Sequence, residues 1–260
     1  MDFSNTATMP AFLVVFFVAL VGLVFGSFVT LISYRLPRDL PFGCQRSRCT
    51  ECSHALSFID LIPLLSWLFQ RGKCRYCQAK IHWRYPLIEL AQMLMFLEVF
   101  RLYGMSANGF IFAALSVALL LMLVIDLEFK IIPDSLQIFF ILLGILYRYS
   151  GNLNLLEGLA AAALLSGGSF LLRAIFWRVR KREGLGLGDV KFFFAAGIWL
   201  GFMPIPAFLL LSGSLGILLA VLWQKFFQQD EFPFAPALAI AMWICLNYSG
   251  VSSLLVYGSS

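Results

Sequence analysis

Charged residues are scarce in this chain, and their scarcity excludes the largest class of proteins, the soluble globular ones. Asp, Glu, Lys and Arg make up only 13% of the 260 residues, whereas 61% are hydrophobic, and the mean hydropathy is +0.88. Apolar runs recur along nearly the whole length. This composition is typical of a polytopic helical membrane protein, because a helix satisfies its backbone hydrogen bonds internally within a bilayer.

Three further features are missing. The first ten residues contain no Lys or Arg, so they lack the basic region of a cleavable signal peptide, and we predict an uncleaved first helix whose N-terminus lies outside. The chain has no internal repeat, which argues against a secondary transporter, since many transporters are built from repeats. It also has no glycine-rich nucleotide motif after a strand, so the sequence does not locate a nucleotide-like cofactor.

Eight apolar segments predict an all-α polytopic membrane protein with about eight transmembrane helices. They lie at 11–33, 86–103, 109–125, 135–149, 155–177, 189–202, 204–223 and 236–257. The fourth segment is short, and Gly197 and Gly201 interrupt the sixth. Trp199 and four other tryptophans fall near the predicted interfaces, as in the aromatic belts of membrane proteins.

The positive charges predict the orientation. Of the 19 Lys and Arg residues, all except Arg101 and Arg148 lie in, or at the ends of, the loops on one side. This side is the cytoplasm by the positive-inside rule. We therefore predict a first transmembrane segment at 1–34, a small cytoplasmic domain at 35–85 and a seven-helix membrane domain at 86–260.

The cytoplasmic domain contains two Cys-x-x-Cys pairs, typical of a zinc ribbon in which four thiolates hold a structural zinc ion. The four are Cys49, Cys52, Cys74 and Cys77. Gly72 and Lys73 resemble the turn of a zinc knuckle. Cys44 is interpreted as a spare ligand or a free thiol, His54 as an alternative ligand, and Cys245 as a core residue. The apolar segment 61–69 is too short to span and predicts a local core or an interfacial helix.

A glycine-rich segment, Gly-Leu-Gly-Leu-Gly-Asp-Val-Lys at 184–191, opens the sixth apolar segment. Its alternate glycines predict a backbone that side chains would forbid and a close approach by another part of the chain. Asp189 is expected at the positive end of a helix dipole, at the membrane boundary. Taken alone, this Asp is explained as a helix cap.

A second acid, Asp126, ends the third segment on the same predicted side. Two carboxylates at one depth suit aspartic proteolysis, in which one activates a water molecule and its protonated partner polarises the scissile carbonyl. Residue chemistry leaves Glu128 and Asp134 as alternatives to Asp126. Asp134 is explained as the N-cap of the fourth helix with Gln137 as its capping-box partner, and Glu128 as a solvated loop acid.

Other charged residues near the membrane receive local explanations. Glu89 lies near the cytoplasmic end of the second segment, within reach of the Asp pair or of a basic group. Glu98 is expected to pair with Arg101 three residues later. Lys191 is expected to anchor at the membrane surface.

Together these motifs resemble the type IV prepilin leader peptidases, inner-membrane aspartic proteases of bacteria with a GxGD signature. The resemblance is carried by the two cysteine pairs and by residues 26–28, 34–37, 62–67, 71–74, 84–89, 126–134 and 186–191. It identifies Asp126 and Asp189 as the catalytic pair. It also implies supporting roles for Gly186, Gly188, Lys191, Glu89 and Asp134.

The resemblance implies cleavage of type IV prepilins, or of pseudopilins of type II secretion, after a Gly at the cytoplasmic membrane face. Methylation of the new N-terminus by S-adenosylmethionine is expected to follow, with Gly72 and Lys73 as candidate cofactor residues. Zinc is the other expected cofactor; prepilins and the bilayer, not nucleic acid, are the expected partners.

Three departures from the family pattern bear on substrate fit and methylation rather than on proteolysis: Thr30, the Cys-Thr-Glu-Cys pair, and Ala235. Two alternatives stay open at this point. One is a membrane transporter or ion-coupled carrier with a zinc-binding regulatory domain. The other is a non-catalytic membrane scaffold.

Overall fold

Helices are the main regular structure in the residues that the computed structural model of the protein describes, which are 11–41, 46–181, 184–228 and 231–248. In this part of the chain two isolated β-bridges are present and no longer strand. The α-helices are α1 Ala11–Arg35, α2 Leu65–Phe69, α3 Arg84–Tyr103, α4 Ala107–Phe129, α5 Asp134–Ser150, α6 Leu155–Arg180, α7 Leu187–Leu200, α8 Ile205–Phe227 and α9 Ala235–Asn247.

Every apolar segment predicted from the sequence overlaps a helix, and among the described residues four helices are long and apolar enough to cross a membrane. These four are Phe12–Arg38, Ala107–Phe129, Leu155–Arg180 and Ile205–Phe227. Helices α5, α7 and α9 have only 17, 14 and 13 residues, and α3 carries Glu89, Glu98 and Arg101. Residues 249–257 of the last predicted segment lie outside the described residues. The count of eight spans therefore stays a prediction.

The chain divides into two compact units, with the boundary in the sequence between Gly109 and Phe110. In the first unit, α1 and α3 pack along each other. Their backbones approach closely because α1 has glycine at the contact: a Cβ atom on Gly26 would lie 2.5 Å from the Cα atom of Glu89. The cysteine-rich segment between these two helices completes the unit.

In the second unit, α7 occupies the centre and packs against α5, α6 and α9. Its Phe192, Ala195 and Ile198 are fully buried. A Cβ atom on Gly197 would lie 2.4 Å from the Cα atom of Ala162, so α6 and α7 touch backbone to backbone. Trp199 is not an exposed residue of a lipid-facing aromatic belt: it is 2% exposed, and its Nε1–H donates to the Phe140 carbonyl at 2.9 Å.

Arg148, which the charge pattern places outside, is buried at the far end of α7. Its guanidinium donates to the carbonyls of Ile198 and of Asn154, the latter at 2.6 Å, and lies 3.5 Å from the Glu157 carboxylate. Glu157 in turn accepts the backbone N–H of Phe202 at 3.3 Å. One cation therefore joins the end of α5, the start of α6 and the end of α7, and its partners compensate for its burial.

Candidate functional site

Asp189 lies in the first turn of α7. Gly186 precedes the helix, and the Asp189 carboxylate accepts its backbone N–H at 3.2 Å. The acid thus lies where unpaired backbone N–H groups and the helix dipole favour negative charge. The predicted position of Asp189 at a helix start is confirmed. Because the side chain also caps the helix, the capping and the catalytic interpretations do not exclude each other.

The glycines before Asp189 have ordinary backbone conformations. None of Gly184, Gly186 and Gly188 has a positive φ angle, so the prediction of a backbone closed to side chains is wrong. Close approach, however, is confirmed. A Cβ atom would lie 2.5 Å from the Phe176 ring at Gly184, and 3.2 Å from the Cβ atom of Ile132 at Gly188. These two glycines leave room for α6 and for the chain before α5.

Asp126 lies in the last turn of α4, where it is buried. Its Oδ2 atom accepts the backbone N–H of Ala235 at 2.9 Å, and the backbone of Phe234 interacts with it as well. Both donors belong to the start of α9, which has a proline in its first turn and no capping side chain. A helix start without its own cap leaves N–H groups that need an outside acceptor. The uncapped helix start can be recognised in the sequence, but the sequence does not indicate which acid accepts its N–H groups.

Charged neighbours act on both carboxylates. Asp189 interacts with the charge of Asp126 and with that of Arg173, and Lys130 acts on Asp126. Arg173, on α6, also donates a hydrogen bond to the Leu185 carbonyl and so ties the glycine-rich segment to α6. The sequence alone does not single out Arg173. Because this residue precedes a basic run, it is interpreted there as one more cytoplasmic cation.

Asp134 and Gln137 are not the capping pair that the sequence predicts. Pro133 is the N-cap of α5, Asp134 is the first helical residue, and its carboxylate pairs with the Lys191 ammonium at 2.5 Å. Lys191 is therefore an exposed ion-pair partner, and its role as a membrane anchor stays a prediction. The prediction failed because a local capping rule cannot anticipate a partner on another helix.

Gln137 instead holds the residue next to Asp189. Its side-chain amide donates to the Gly188 carbonyl at 2.9 Å, and the residue is 3% exposed. Its Oε1 atom is buried and has no hydrogen-bond partner among the described residues. A buried amide on α5 thus fixes the backbone beside the candidate catalytic acid.

The remaining acids have separate environments. Glu89, in the first unit, is 8% exposed and accepts the backbone N–H of Leu64 at 2.8 Å, so it fastens the cysteine-rich segment to α3. Glu98 pairs with Arg101 at 2.6 Å, as predicted. Glu128 is exposed, as expected of a solvated acid, although it lies in the last turn of α4 rather than in a loop.

Four cysteine sulfurs in the first unit form a cluster that can hold a metal ion. The Sγ atoms of Cys49, Cys52, Cys74 and Cys77 all lie within 4.8 Å of one another. The backbone N–H of Cys52 lowers the pKa of the Cys49 thiol to about 7, whereas the pKa of the neighbouring Cys77 thiol is raised. His54 stacks on Tyr76 with ring centroids 3.6 Å apart. Cys245 is buried, as predicted, and Cys44 lies outside the described residues.

The two cysteine loops share one backbone pattern. The N–H of Cys49 bonds to the carbonyl of residue 54 at 3.0 Å, and the N–H of Cys74 bonds to that of residue 79 at 2.8 Å. The residue four positions after each of these cysteines donates back to the cysteine carbonyl. A β-bridge closes each loop, Arg48 with Ala55 and Lys73 with Lys80. The two loops are thus equivalent halves of one site.

A cleft of about 410 Å³ lies beside the second cysteine loop. Gly72 has a φ angle of +66°, and a Cβ atom there would lie 3.0 Å from the Trp67 ring. Glycine therefore allows both the turn and the position of Trp67, whose Nε1–H donates to the Ile81 carbonyl. The cleft is lined by Trp67, Arg71, Gly72, Lys73, Lys80, Ile81, His82 and Trp83.

Comparisons with known proteins decide the family. Residues 20–103 match the bacterial peptidase A24 N-terminal domain, and residues 113–221 match the type IV leader peptidase family. A protein of Aeromonas hydrophila named prepilin leader peptidase/N-methyltransferase is 32% identical over 259 residues, covering 88% of this chain and 89% of its own length. The chain belongs to the type IV leader peptidase family.

Two further relatives carry the same name. The protein of Stutzerimonas stutzeri is 34% identical over 86% of this chain and 87% of its own length, and that of Neisseria gonorrhoeae is 31% identical over 87% of each. No solved structure matches the chain. Leader-peptidase membership makes the protein an enzyme of a protease family, and the transporter alternative finds no support.

The candidate residues of this member of the leader peptidase family fall into two different matched regions. The four cysteines and Glu89 fall within the N-terminal match, and Asp126 and Asp189 fall within the leader peptidase match. Ala235, which donates to Asp126, lies beyond both matched regions.

Proposed function

We propose that this protein is an intramembrane aspartic endopeptidase in which Asp126 and Asp189 act as a pair. The observation that supports this most is that both acids belong to one compact unit, at the end of α4 and the start of α7, where the charge of Asp126 acts on Asp189. One carboxylate takes the proton from a water molecule, and the other, protonated, polarises the scissile carbonyl. Neighbouring like charges resist joint ionisation, so the pair keeps the one proton that this division of labour needs.

The proposed substrate is a type IV prepilin or a pseudopilin, cut after a Gly next to its hydrophobic helix; the names of the relatives specify a prepilin. Such a substrate reaches the pair from within the bilayer, and water reaches it from the cytoplasm. The proposal therefore includes the eight-span topology in a bacterial inner membrane, with the cysteine-rich segment and both acids on the cytoplasmic side. The positive-inside charge distribution supports this orientation.

Cleavage of a purified prepilin in detergent, without ATP, tests the pair. Asp126→Asn and Asp189→Asn should each abolish cleavage while zinc content stays unchanged, because an amide cannot accept the proton from water. The double variant should be no worse than either single one, as for groups that act as a unit. Glu128→Gln, which changes an exposed acid on α4, is the control and should stay active. An active Asp126→Asn enzyme beside an inactive Asp134→Asn enzyme would show that Asp189 pairs with another acid.

The metal that we propose for the cysteine cluster is zinc, in a structural role. Tetrahedral zinc with Zn–S bonds of about 2.3 Å separates its sulfur ligands by about 3.8 Å, and the Sγ atoms of Cys49 and Cys77 lie 3.8 Å apart. This pair has the separation that tetrahedral zinc requires, and all four sulfurs lie within 4.8 Å of one another. Four thiolates leave no open position on the ion, so it would hold the two loops together rather than take part in the reaction.

We also propose that the cleft beside the second cysteine loop binds S-adenosylmethionine. The volume of about 410 Å³ lies in the range of small-molecule sites. The rings of Trp67, His82 and Trp83 can stack on the adenine or face the sulfonium cation, and Lys73 and Lys80 can pair with the carboxylate. When bound, this cofactor would supply the methyl group for the N-terminal amine that cleavage exposes. The residues of the cleft would bind and orient it.

Lys80→Ala and Trp83→Ala test this cleft. Both should weaken binding of S-adenosylhomocysteine, measured by calorimetry, and should leave prepilin cleaved but unmethylated, as read by mass spectrometry. Trp177→Ala, which changes an exposed tryptophan on α6, is the matched control. Unchanged S-adenosylhomocysteine binding in both cleft variants would place the methyl donor elsewhere.

A further inference from the structure

The cysteine-rich segment carries an apolar surface that no core covers. Phe58, Ile59, Leu68 and Phe69 expose 85, 63, 63 and 79% of their surface. They belong to residues 58–69, which contain the 3-10 turn Ile59–Leu61 and helix α2, and we refer to these residues as the apolar face. Their exposure excludes the local core that the sequence allowed. Contiguous exposed apolar surface marks a contact with a membrane or with another protein.

Hydrogen bonds hold the apolar face in a defined shape. Asp60 accepts the Ser57 hydroxyl at 2.6 Å, the Gln70 amide at 3.1 Å and the Tyr76 hydroxyl at 3.2 Å. Leu64 donates its backbone N–H to the buried Glu89 of α3. The Ser57 hydroxyl holds the pKa of Asp60 below its usual range, so Asp60 contributes one negative charge here. The face is thus rigidly connected to the segment that presents it.

A cationic cleft of about 600 Å³ adjoins the apolar face. Exposed Arg71, Lys73 and Arg75 outweigh the single charge of Asp60, and Ile59, Ile62, Leu65 and Phe69 supply the apolar lining. A combination of aliphatic, aromatic and cationic groups is complementary to an amphipathic anion. An anionic phospholipid offers this chemistry, because its phosphate lies directly above its acyl chains.

The covalent connections keep the face near a bilayer. The cysteine-rich segment follows directly on α1, which is long and apolar enough to cross the membrane, and it returns at Arg84 to α3, which packs along α1. In the proposed orientation the adjacent leaflet is the cytoplasmic one. Anionic lipids give that leaflet a negative surface that attracts Lys and Arg.

We propose that the apolar face docks the cysteine-rich segment onto the cytoplasmic leaflet, with Phe58, Leu68 and Phe69 at the level of the upper acyl chains and an anionic phospholipid phosphate in the cleft beside Arg75. The proposal rests on the orientation given in the proposed function but not on proteolysis or methylation. Docking of this kind holds the candidate methyl-donor cleft, which shares Arg71 and Lys73, at the membrane surface.

Photo-crosslinking of the full-length protein in nanodiscs tests the contact. Phe69→p-benzoylphenylalanine, in discs with equal amounts of phosphatidylcholine and phosphatidylglycerol, should give lipid adducts by intact mass spectrometry, enriched in phosphatidylglycerol. Adding Arg75→Gln should lower that enrichment by roughly fivefold, the effect of one cation near an anionic surface. Arg48→Gln, an exposed cation of the first cysteine loop, is the matched control and should change it less. Zinc content and lipid adducts are both measured without any enzymatic product. The test therefore does not depend on the proposed proteolysis or methylation.

The same experiment at two other positions makes the outcome decisive. Phe58→p-benzoylphenylalanine should also label lipid and serves if the Phe69 variant does not fold, whereas Glu51→p-benzoylphenylalanine, in the first cysteine loop, should not. Adducts to protein instead of lipid would overturn the proposal in favour of a substrate or a second copy of the chain. Equal labelling of both lipids, insensitive to Arg75→Gln, would overturn the anionic site. Loss of adducts on addition of inorganic phosphate would assign the cleft to free phosphate.

Discussion

At the scale of single residues, backbone groups define the candidate site as much as side chains do. Asp126 receives an N–H from Ala235, Gln137 binds the Gly188 carbonyl, and Arg173 binds the Leu185 carbonyl. A sequence identifies a carboxylate but not a main-chain donor more than a hundred residues away. Asp189 was predictable because its surroundings are local, a glycine-rich turn and a helix start. The partners of Asp126, Gln137 and Lys191 were not, because tertiary packing brings them together.

Gln137→Ala tests whether backbone positioning matters for catalysis. Loss of the hydrogen bond to the Gly188 carbonyl should raise the activation free energy by about 1 kcal/mol, because the backbone beside Asp189 is less well positioned. This corresponds to a roughly fivefold lower kcat. KM should change little if the substrate does not contact Gln137. Gln224→Ala, which removes an exposed glutamine from α8, is the matched control. A rise in KM with unchanged kcat would instead place Gln137 in the substrate-binding surface. Prepilin cleavage kinetics separate the two cases.

At the scale of elements, α7 is fastened at both ends. Gln137 holds its first turn and Arg148 holds its last, and Gly197 brings α6 into backbone contact between them. Apolar runs predicted where α7 and its neighbours lie, since a run of that length has few other stable structures in a bilayer. They could not predict that Arg148 is buried. Its charge reads as an outer-loop residue until its partners on α6 and α7 are known.

Arg148→Ala should strongly destabilise the second unit. It leaves the carbonyls of Ile198 and Asn154 without their donor, a loss of about 1–3 kcal/mol for each buried group, whereas the half-exposed Glu157 carboxylate keeps the N–H of Phe202. Arg101→Ala, which breaks the exposed pair with Glu98, should cost less than about 1 kcal/mol. Thermal unfolding in one detergent compares the two. Equal losses would mean that burial of Arg148 contributes nothing to stability.

Gly197→Ala should separate α6 from α7. The added methyl group has no room against the backbone of Ala162, and overpacking of this kind costs about 1–3 kcal/mol. Gly167→Ala is the matched control on α6, because a Cβ atom there has no neighbour within 4 Å. Since alanine is the better helix former, this control should be neutral or stabilising. The Tm should therefore fall for Gly197→Ala and stay the same or rise for Gly167→Ala. Prepilin cleavage should fall only with Gly197→Ala.

At the scale of the whole molecule, the candidate chemistry divides between the two compact units. The cysteine cluster and the candidate methyl-donor cleft lie before Gly109, and both candidate catalytic acids lie after it. The sequence shows this division in its composition, since the basic, cysteine-rich stretch is the only long polar one. It could not show that α3 packs with α1 in the first unit. That assignment follows from glycines on α1 that meet the backbone of α3.

Removal of zinc should therefore affect methylation before proteolysis. With a chelator, methylated product should disappear first, because the loops that form the methyl-donor cleft depend on the metal, whereas Asp126 and Asp189 do not. Cys74→Ser should lose zinc, and Cys245→Ser, a buried cysteine outside the cluster, should keep it. A time course of both products by mass spectrometry, with elemental analysis, measures the order. Simultaneous loss of both activities would mean that the second unit needs the zinc as well.

The equivalence of the two cysteine loops bears on how the sequence of this protein can change during evolution. Main-chain hydrogen bonds and a β-bridge close each eight-residue loop, Arg48 to Ala55 and Lys73 to Lys80, so the residues between the cysteines carry little of the structure. We therefore expect that Thr50 departs from the family pattern without a loss of metal affinity. Exchanging one loop for the other should give a chain that still folds around the ion. The metal site thus leaves the surface chemistry of this domain free to diverge and to adapt to a new pilin or a new membrane.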